Sequence, residues 1–152
     1  VWLTRFEGEN TSVHLEDMPK TPDGWLNLKL DNKWNVIRSV RRVVTGAIEV
    51  ERQNKNIGAS LEAAPIVIIE NKSKFDIIKS QNFADICITS DIQIINEPLS
   101  KNSFVLEDTP GVGVIFKKAE GKKCVRCWKI LKEVMSNSQS NLCIRCEKTL
   151  KN

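Results

Sequence analysis

Four cysteines near the end of the chain, Cys124, Cys127, Cys143 and Cys146, stand as two CxxC pairs separated by fifteen residues. No other feature limits so strictly what this chain can fold into. Each CxxC turn aims two thiolates at one point while its amides face the sulfurs, so two such turns close a tetrahedral cage around one metal ion. Zinc is the expected ion, one per chain and structural; iron is the competitor that four cysteines also suit. A cage of four protein ligands keeps no open position and performs no reaction. Its expected work is to fold a tail whose apolar groups, Trp128, Ile130, Leu131, Val134 and Leu142, are too few to make a core, so the tail should be disordered without metal.

The fifth cysteine, Cys87, lies in the apolar run from Ala84 to Thr89 and reads as a buried, inert thiol. Four of five cysteines in metal spacing fit a reducing compartment, so the cytoplasm is expected rather than secretion. No run is long and apolar enough for a membrane span, and no signal peptide is read. The chain begins Val1-Trp2-Leu3 without a methionine, which reads as a piece of something longer.

Charge is unevenly spread. From Lys117 onward there are ten Lys or Arg against three Glu, a net +7; with a total of +4 over 152 residues, the first 116 carry −3. Four thiolates and one divalent ion would leave about +5 on the tail. That excess suits a polyanionic partner, and a merely solvated basic surface is the plain alternative.

Along the chain, residues 1–24 show no sustained period, and Pro19, Pro22 and Asp23-Gly24 argue for an extended arm. From Asp31 or Asn32, either of which can cap a helix, Ile37, Val40, Val44, Ala47 and Ile48 recur every three or four residues, with Arg38, Arg41, Arg42, Thr45, Glu49 and Arg52 largely opposite. An amphipathic helix of about five turns, ending near 54–56, follows. The runs 66–69, 86–89, 92–95 and 112–116 read as strands, 73–79 as a short helix, and 100–103 as a surface loop. The fold class is therefore α+β, an amphipathic helix packed on a small mixed sheet, followed by a four-cysteine zinc-binding module. The expected domains are the arm 1–24, an α+β domain 25–118 and the metal-binding module 119–152. In the last, Gly121 turns the chain into the first knuckle and the polar interval 136–141 links the two.

The first knuckle reads Lys122-Lys123-Cys124-Val125-Arg126-Cys127-Trp128-Lys129. A guanidinium and an indole on a metal-held turn suit phosphates and unstacked bases; the plain reading has Trp128 plug the small core while Arg126 faces water. His14, the only histidine, reads as packed or surface. Asn71-Lys72-Ser73-Lys74 reads as a helix cap. Glycine-rich phosphate loops, paired carboxylates and dinucleotide fingerprints are missing, so no catalytic residue is assigned.

Ala119-x-Gly121-x-Lys123-Cys124-x-Arg126-Cys127-Trp128-Lys129, with Leu142-Cys143-x-Arg145-Cys146, closely resembles the C-terminal zinc-binding segment of the bacterial isoleucyl-tRNA synthetase family. Upstream, Thr11-Ser12-Val13-His14-Leu15 with Met18-Pro19 resembles that family's Glu-Ser-Val-His-Leu stretch, with Thr11 in the place of Glu. Val40-Arg41, Ile48-Glu49 and Arg52, then Ile57-Gly58-Ala59-Ser60-Leu61-Glu62-Ala63, resemble its junction helix and the turn after it. The resemblance covers essentially the whole chain.

It implies a parent that is a class I aminoacyl-tRNA synthetase, an isoleucine–tRNA ligase using ATP as substrate, whose catalytic, signature and editing parts lie upstream. This stretch would itself be no enzyme, and Val1 to Leu3 would end the anticodon-binding bundle. The implied partners are the anticodon arm of tRNA(Ile) and the rest of the synthetase chain, in a monomer. By position, the RNA contact falls to Arg126 and Trp128, with Lys122, Lys123, Lys129 and Arg145 as weaker electrostatic candidates. Two other readings stand beside it: a structural zinc clip docking within its own enzyme, and a zinc-finger DNA module like that of DNA glycosylases, whose other motifs this sequence lacks.

Overall fold

The computed structural model describes residues 2–6, 12–136 and 140–151, which fall into two compact units, 1–31 and 32–152. Thr11 of the His14 stretch, Val1, and the middle of the polar interval 136–141 lie outside the described residues.

In the first unit the expected extended arm contains single 3-10 turns at Trp2–Thr4, Val13–Leu15 and Asp23–Trp25. The rings of Trp2 and Phe6 stack at 4.2 Å. His14 is exposed, and its amide donates to Ser12 Oγ at 3.3 Å.

Helix α1 spans Leu28–Gln53. The expected caps, Asp31 and Asn32, lie inside it. Asn27 is the cap, its Oδ1 accepting the Leu30 amide at 2.9 Å and so satisfying one of the free N–H groups of the first turn. The inward face carries Ile37, Val40, Val43, Val44, Ala47 and Ile48, all buried. These pack in one core with Val67, Ile69, Phe75, Ile78, Phe83, Val112 and Val114. Each large group there contributes roughly 1.5–3 kcal/mol by leaving water.

Strand β1, Ile66–Ile69, leads through α2, Lys72–Lys79, and α3, Phe83–Cys87, to β2, Gln93–Ile95, which lies parallel to β1. Two strands follow, β3 at Phe104–Val105 and β4 at Val112–Ile115. The sheet order is β2-β1-β4-β3, with β4 antiparallel to both its neighbours. The result is the expected α+β architecture, helices on a small mixed sheet. β1 is central, which explains an unbroken apolar run rather than an alternating one.

Asn71 caps α2 as expected, accepting the Lys74 amide at 2.9 Å. The expected strand 86–89 is instead the end of α3. Asn82 accepts the Asp85 amide at 3.4 Å, and the helix closes when Ile88 turns left-handed at φ 57°. Three apolar residues in a row, Ile86 to Ile88, suit a buried strand and a buried helical turn equally; the deciding cap lay outside the run.

The remaining elements are β5, Lys122–Lys123, paired antiparallel with β6, Ile130–Leu131, then α4, Lys132–Ser136, and α5, Ile144–Leu150. They share the second unit with the α+β body. Among the described residues, no helix is long and apolar enough to cross a membrane.

Candidate metal centre and its cationic face

The β5–β6 pair carries the first CxxC between its strands, and the N-terminus of α5 carries the second. Gly121 opens the pair at φ 125°, and a Cβ there would stand 2.3 Å from the backbone carbonyl of Leu131. Only glycine fits. Within the turn, the Cys124 amide donates to Lys129 O and the Trp128 amide to Cys124 O, both at 2.9 Å; Val125 N donates to Asn141 O at 3.2 Å and ties the two halves together.

The four sulfurs that the spacing predicts come together: those of Cys124, Cys127, Cys143 and Cys146 all lie within 4.8 Å of one another. Cys127 Sγ and Cys143 Sγ are 3.7 Å apart, and the cysteines are free thiols. A disulfide needs about 2 Å, whereas sulfurs at about 2.3 Å from a tetrahedral ion are separated by about 3.8 Å. The donor set thus fits a metal ion. Around it, Cys124, Cys143, Cys146 and Val134 are buried, with Cys127, Leu131 and Leu142 packed against them.

The environment of Cys124 suits a thiolate. Burial pushes its thiol up, but donors from the backbone of Cys127, Cys143 and Arg126 outweigh that and hold it below the usual range. Cys143 N lies 3.4 Å from Cys124 Sγ. Cys87 is the contrast. Buried among apolar side chains, its thiol is pushed up to about 12, with Arg41 opposing weakly.

Of the six residues expected to face RNA, the structure separates two from the rest. Lys122, Lys123, Arg126 and Trp128 are open to solvent. Trp128 does not plug the sulfur-rich core: 59% of its surface is open, its backbone is left-handed at φ 66°, and Lys123 Nζ sits 5.2 Å from the centre of its ring. It overhangs a cleft of about 250 Å³ lined by Ala59, Leu61, Glu62, Lys118, Ala119, Lys123 and Ile130. The Ile57–Ala63 motif and the Ala119–Lys129 motif, far apart in sequence, therefore share one cleft; the Ala119 amide donates to Glu62 O at 2.7 Å.

Lys129 and Arg145 are both paired to one carboxylate, Lys129 with 15% of its side chain exposed and Arg145 with 60%. Lys129 Nζ pairs with Asp85 Oδ1, and Arg145 Nη1 with Asp85 Oδ2 at 3.2 Å. Ser90, buried, joins the same junction by accepting the Ile130 amide at 2.6 Å. Neither Asp85 nor Ser90 stands out in the sequence. The pattern Asn82-x-x-Asp85 is a helix-start signal that could have placed Asp85, but nothing local announces Ser90.

No family model matches the chain. Over 94% of its length it is 44% identical to the isoleucine–tRNA ligase of Ruegeria pomeroyi, covering 15% of that protein. It is 44% identical over 88% of its length to that of Brucella abortus, and 46% identical over 90% to that of Bartonella henselae, each time covering 14% of the relative. The chain is thus related to isoleucine–tRNA ligases, as the motifs implied, and spans about 15% of the length of the curated relatives it matches.

Proposed function

We propose that this chain is the C-terminal region of an isoleucine–tRNA ligase, in which one zinc ion held by Cys124, Cys127, Cys143 and Cys146 stiffens a surface that contacts the anticodon arm of tRNA(Ile). The parent joins isoleucine to that tRNA with ATP, as a cytoplasmic monomer, and this stretch holds none of the reacting groups. The ion, once bound, supplies structure and charge neutralisation only, because four thiolates fill its coordination.

The observation that carries the reading is Trp128. A bulky residue in left-handed backbone costs of order 1 kcal/mol, and here the ring so placed is left open to solvent beside Lys123. Such an arrangement is poor packing and good stacking. Base–aromatic stacking is worth about 1–3 kcal/mol, and Lys122, Lys123 and Arg126 add phosphate attraction that fades with salt. Lys129, shielded by its pairing with Asp85, contributes little direct contact, while the exposed Arg145 adds a weaker one.

Trp128→Ala and Arg126→Ala in the complete ligase test the proposal. Aminoacylation of the tRNA should fall about tenfold or more while isoleucine-dependent ATP–pyrophosphate exchange is spared. Equal loss of both activities would refute it. A second reading, a structural clip within the enzyme, draws on the Asp85 and Ser90 contacts; it requires that both variants charge tRNA normally.

A further inference from the structure

The two halves of the sulfur cage meet the α+β body at one carboxylate. Lys129 stands just past the first CxxC turn and accepts the Cys124 amide on its carbonyl. Arg145 lies between the two cysteines of the second. Their side chains reach the two different oxygens of Asp85, on α3. Asp85 is itself oriented: its amide donates to Asn82 Oδ1 at 3.4 Å, and Asn82 Nδ2 donates to Asp85 Oδ2 at 2.6 Å. Only 15% of the Lys129 side chain is exposed, so this pair is shielded far more than a surface ion pair.

We infer that Asp85 is a positioning residue: it clamps both knuckles to α3, fixes the direction of the Arg126–Trp128 face, and withholds Lys129 from polyanions while tethering the exposed Arg145. Two consequences follow from the charges. With the clamp closed, the module meets RNA in one orientation, and the single Asp85 charge offsets one of the two positive charges it holds. With it open, the junction gains one net positive charge and Lys129 is released, but the module loses its fixed direction. Non-specific attraction therefore rises as selectivity falls, since phosphate contacts supply affinity and salt dependence while placed groups supply discrimination.

The test uses the whole 152-residue chain loaded with zinc. Asp85→Asn keeps size and one acceptor but removes the charge. Amide exchange at Ile130, whose N–H is bonded to Ser90, should accelerate about tenfold, while exchange in β1 and β4 and the bound zinc stay unchanged. Because Asp85 also sits in the first turn of α3, Lys129→Gln with Arg145→Gln provides a second route that leaves that turn intact. It should give the same acceleration, and adding Asp85→Asn to it should give no more.

Unchanged exchange at Ile130 in either variant, or additive effects of the two, would overturn the clamp. The consequence for RNA rests on the function proposed above and is read separately. With an RNA hairpin carrying a seven-nucleotide single-stranded loop and a blunt duplex of equal length as probes, Asp85→Asn should narrow the preference for the hairpin and steepen the salt dependence. If the unaltered chain shows no hairpin preference, the RNA reading falls and the clamp is judged on exchange alone. If the preference is present but Asp85→Asn leaves it intact, the clamp does not set direction.

Discussion

Ser90 Oγ accepts the Ile130 amide at 2.6 Å while donating its own hydrogen to Leu61 O at 2.5 Å. One buried hydroxyl thereby satisfies a strand of the metal module and the turn that precedes the sheet. Ser90→Ala leaves both backbone groups without their side-chain partner in a part-buried junction, which costs about 1 kcal/mol or more. Urea denaturation of the zinc-loaded chain should show that loss as a lower midpoint at constant slope; an unchanged midpoint would mean that the junction carries no stability.

Gly121→Ala should be among the most damaging single-methyl additions. The φ of 125° is strained for any L side chain, and the new Cβ would strike the Leu131 carbonyl carbon and oxygen, which belong to backbone and cannot swing aside. Parting β5 from β6 displaces the turn that carries Cys124 and Cys127. The variant should release metal to a competing chelator at least tenfold more readily, corresponding to about 1–3 kcal/mol of backbone strain. Equal retention of zinc by the two chains would show that the cage tolerates a parted hairpin.

Ile88→Gly should stabilise. Ile88 closes α3 in left-handed backbone, with its amide bonded to Asp85 O at 3.2 Å and the Thr89 amide to Ala84 O at 2.9 Å, a helix stop at which glycine is the usual residue. A β-branched side chain there costs about 1–2 kcal/mol, and this one is 54% exposed, so little packing is lost with it. After the greater unfolded-state freedom of glycine is subtracted, a gain of up to about 1 kcal/mol remains, visible as a higher thermal midpoint. A lower midpoint would mean that the Ile88 side chain packs more usefully than its exposure suggests.

These three positions show why parts of the fold were legible and others were not. The α1 helix, the central strand Ile66–Ile69 and the four-sulfur cluster each rest on a local signal, namely period, composition or spacing, and each appears where the sequence places it except for the start of α1, which Asn27 caps ahead of Asp31 and Asn32. The run around Cys87 misleads because its deciding cap, Asn82, lies ahead of it. Strands of two residues, such as Phe104–Val105 and Lys122–Lys123, exist only through their partners and leave no period to read. Lys129 and Arg145 are ordinary surface cations until the fold brings Asp85 to them from more than forty residues away. Charge patterning reports sign, not who is already paired.

The thiols provide the last prediction, because Cys87 is packed in the core of the α+β body while the other four line the metal cage. Cys87 is held neutral, its thiol raised from 9.0 to about 12. Since its folded value lies above the unfolded one, the associated stability is complete below pH 9.0 and drains away as pH rises towards 12. At pH 8 only about one Cys87 in ten thousand is a thiolate, so an alkylating reagent should not modify it while α3 stays packed. The other four are shielded by the metal when it is bound and exposed to reagent when it is stripped. Treatment with iodoacetamide at pH 8 should therefore modify essentially none of the cysteines in the zinc-loaded chain. With a chelator present it should modify Cys124, Cys127, Cys143 and Cys146, and reach Cys87 only once denaturant is added. Peptide mass analysis assigns each site. Modification of Cys87 together with the four would mean that the α+β body opens when the tail does. Residues from 119 onward would then not be a separately folding module, and the ion would hold up the entire second unit.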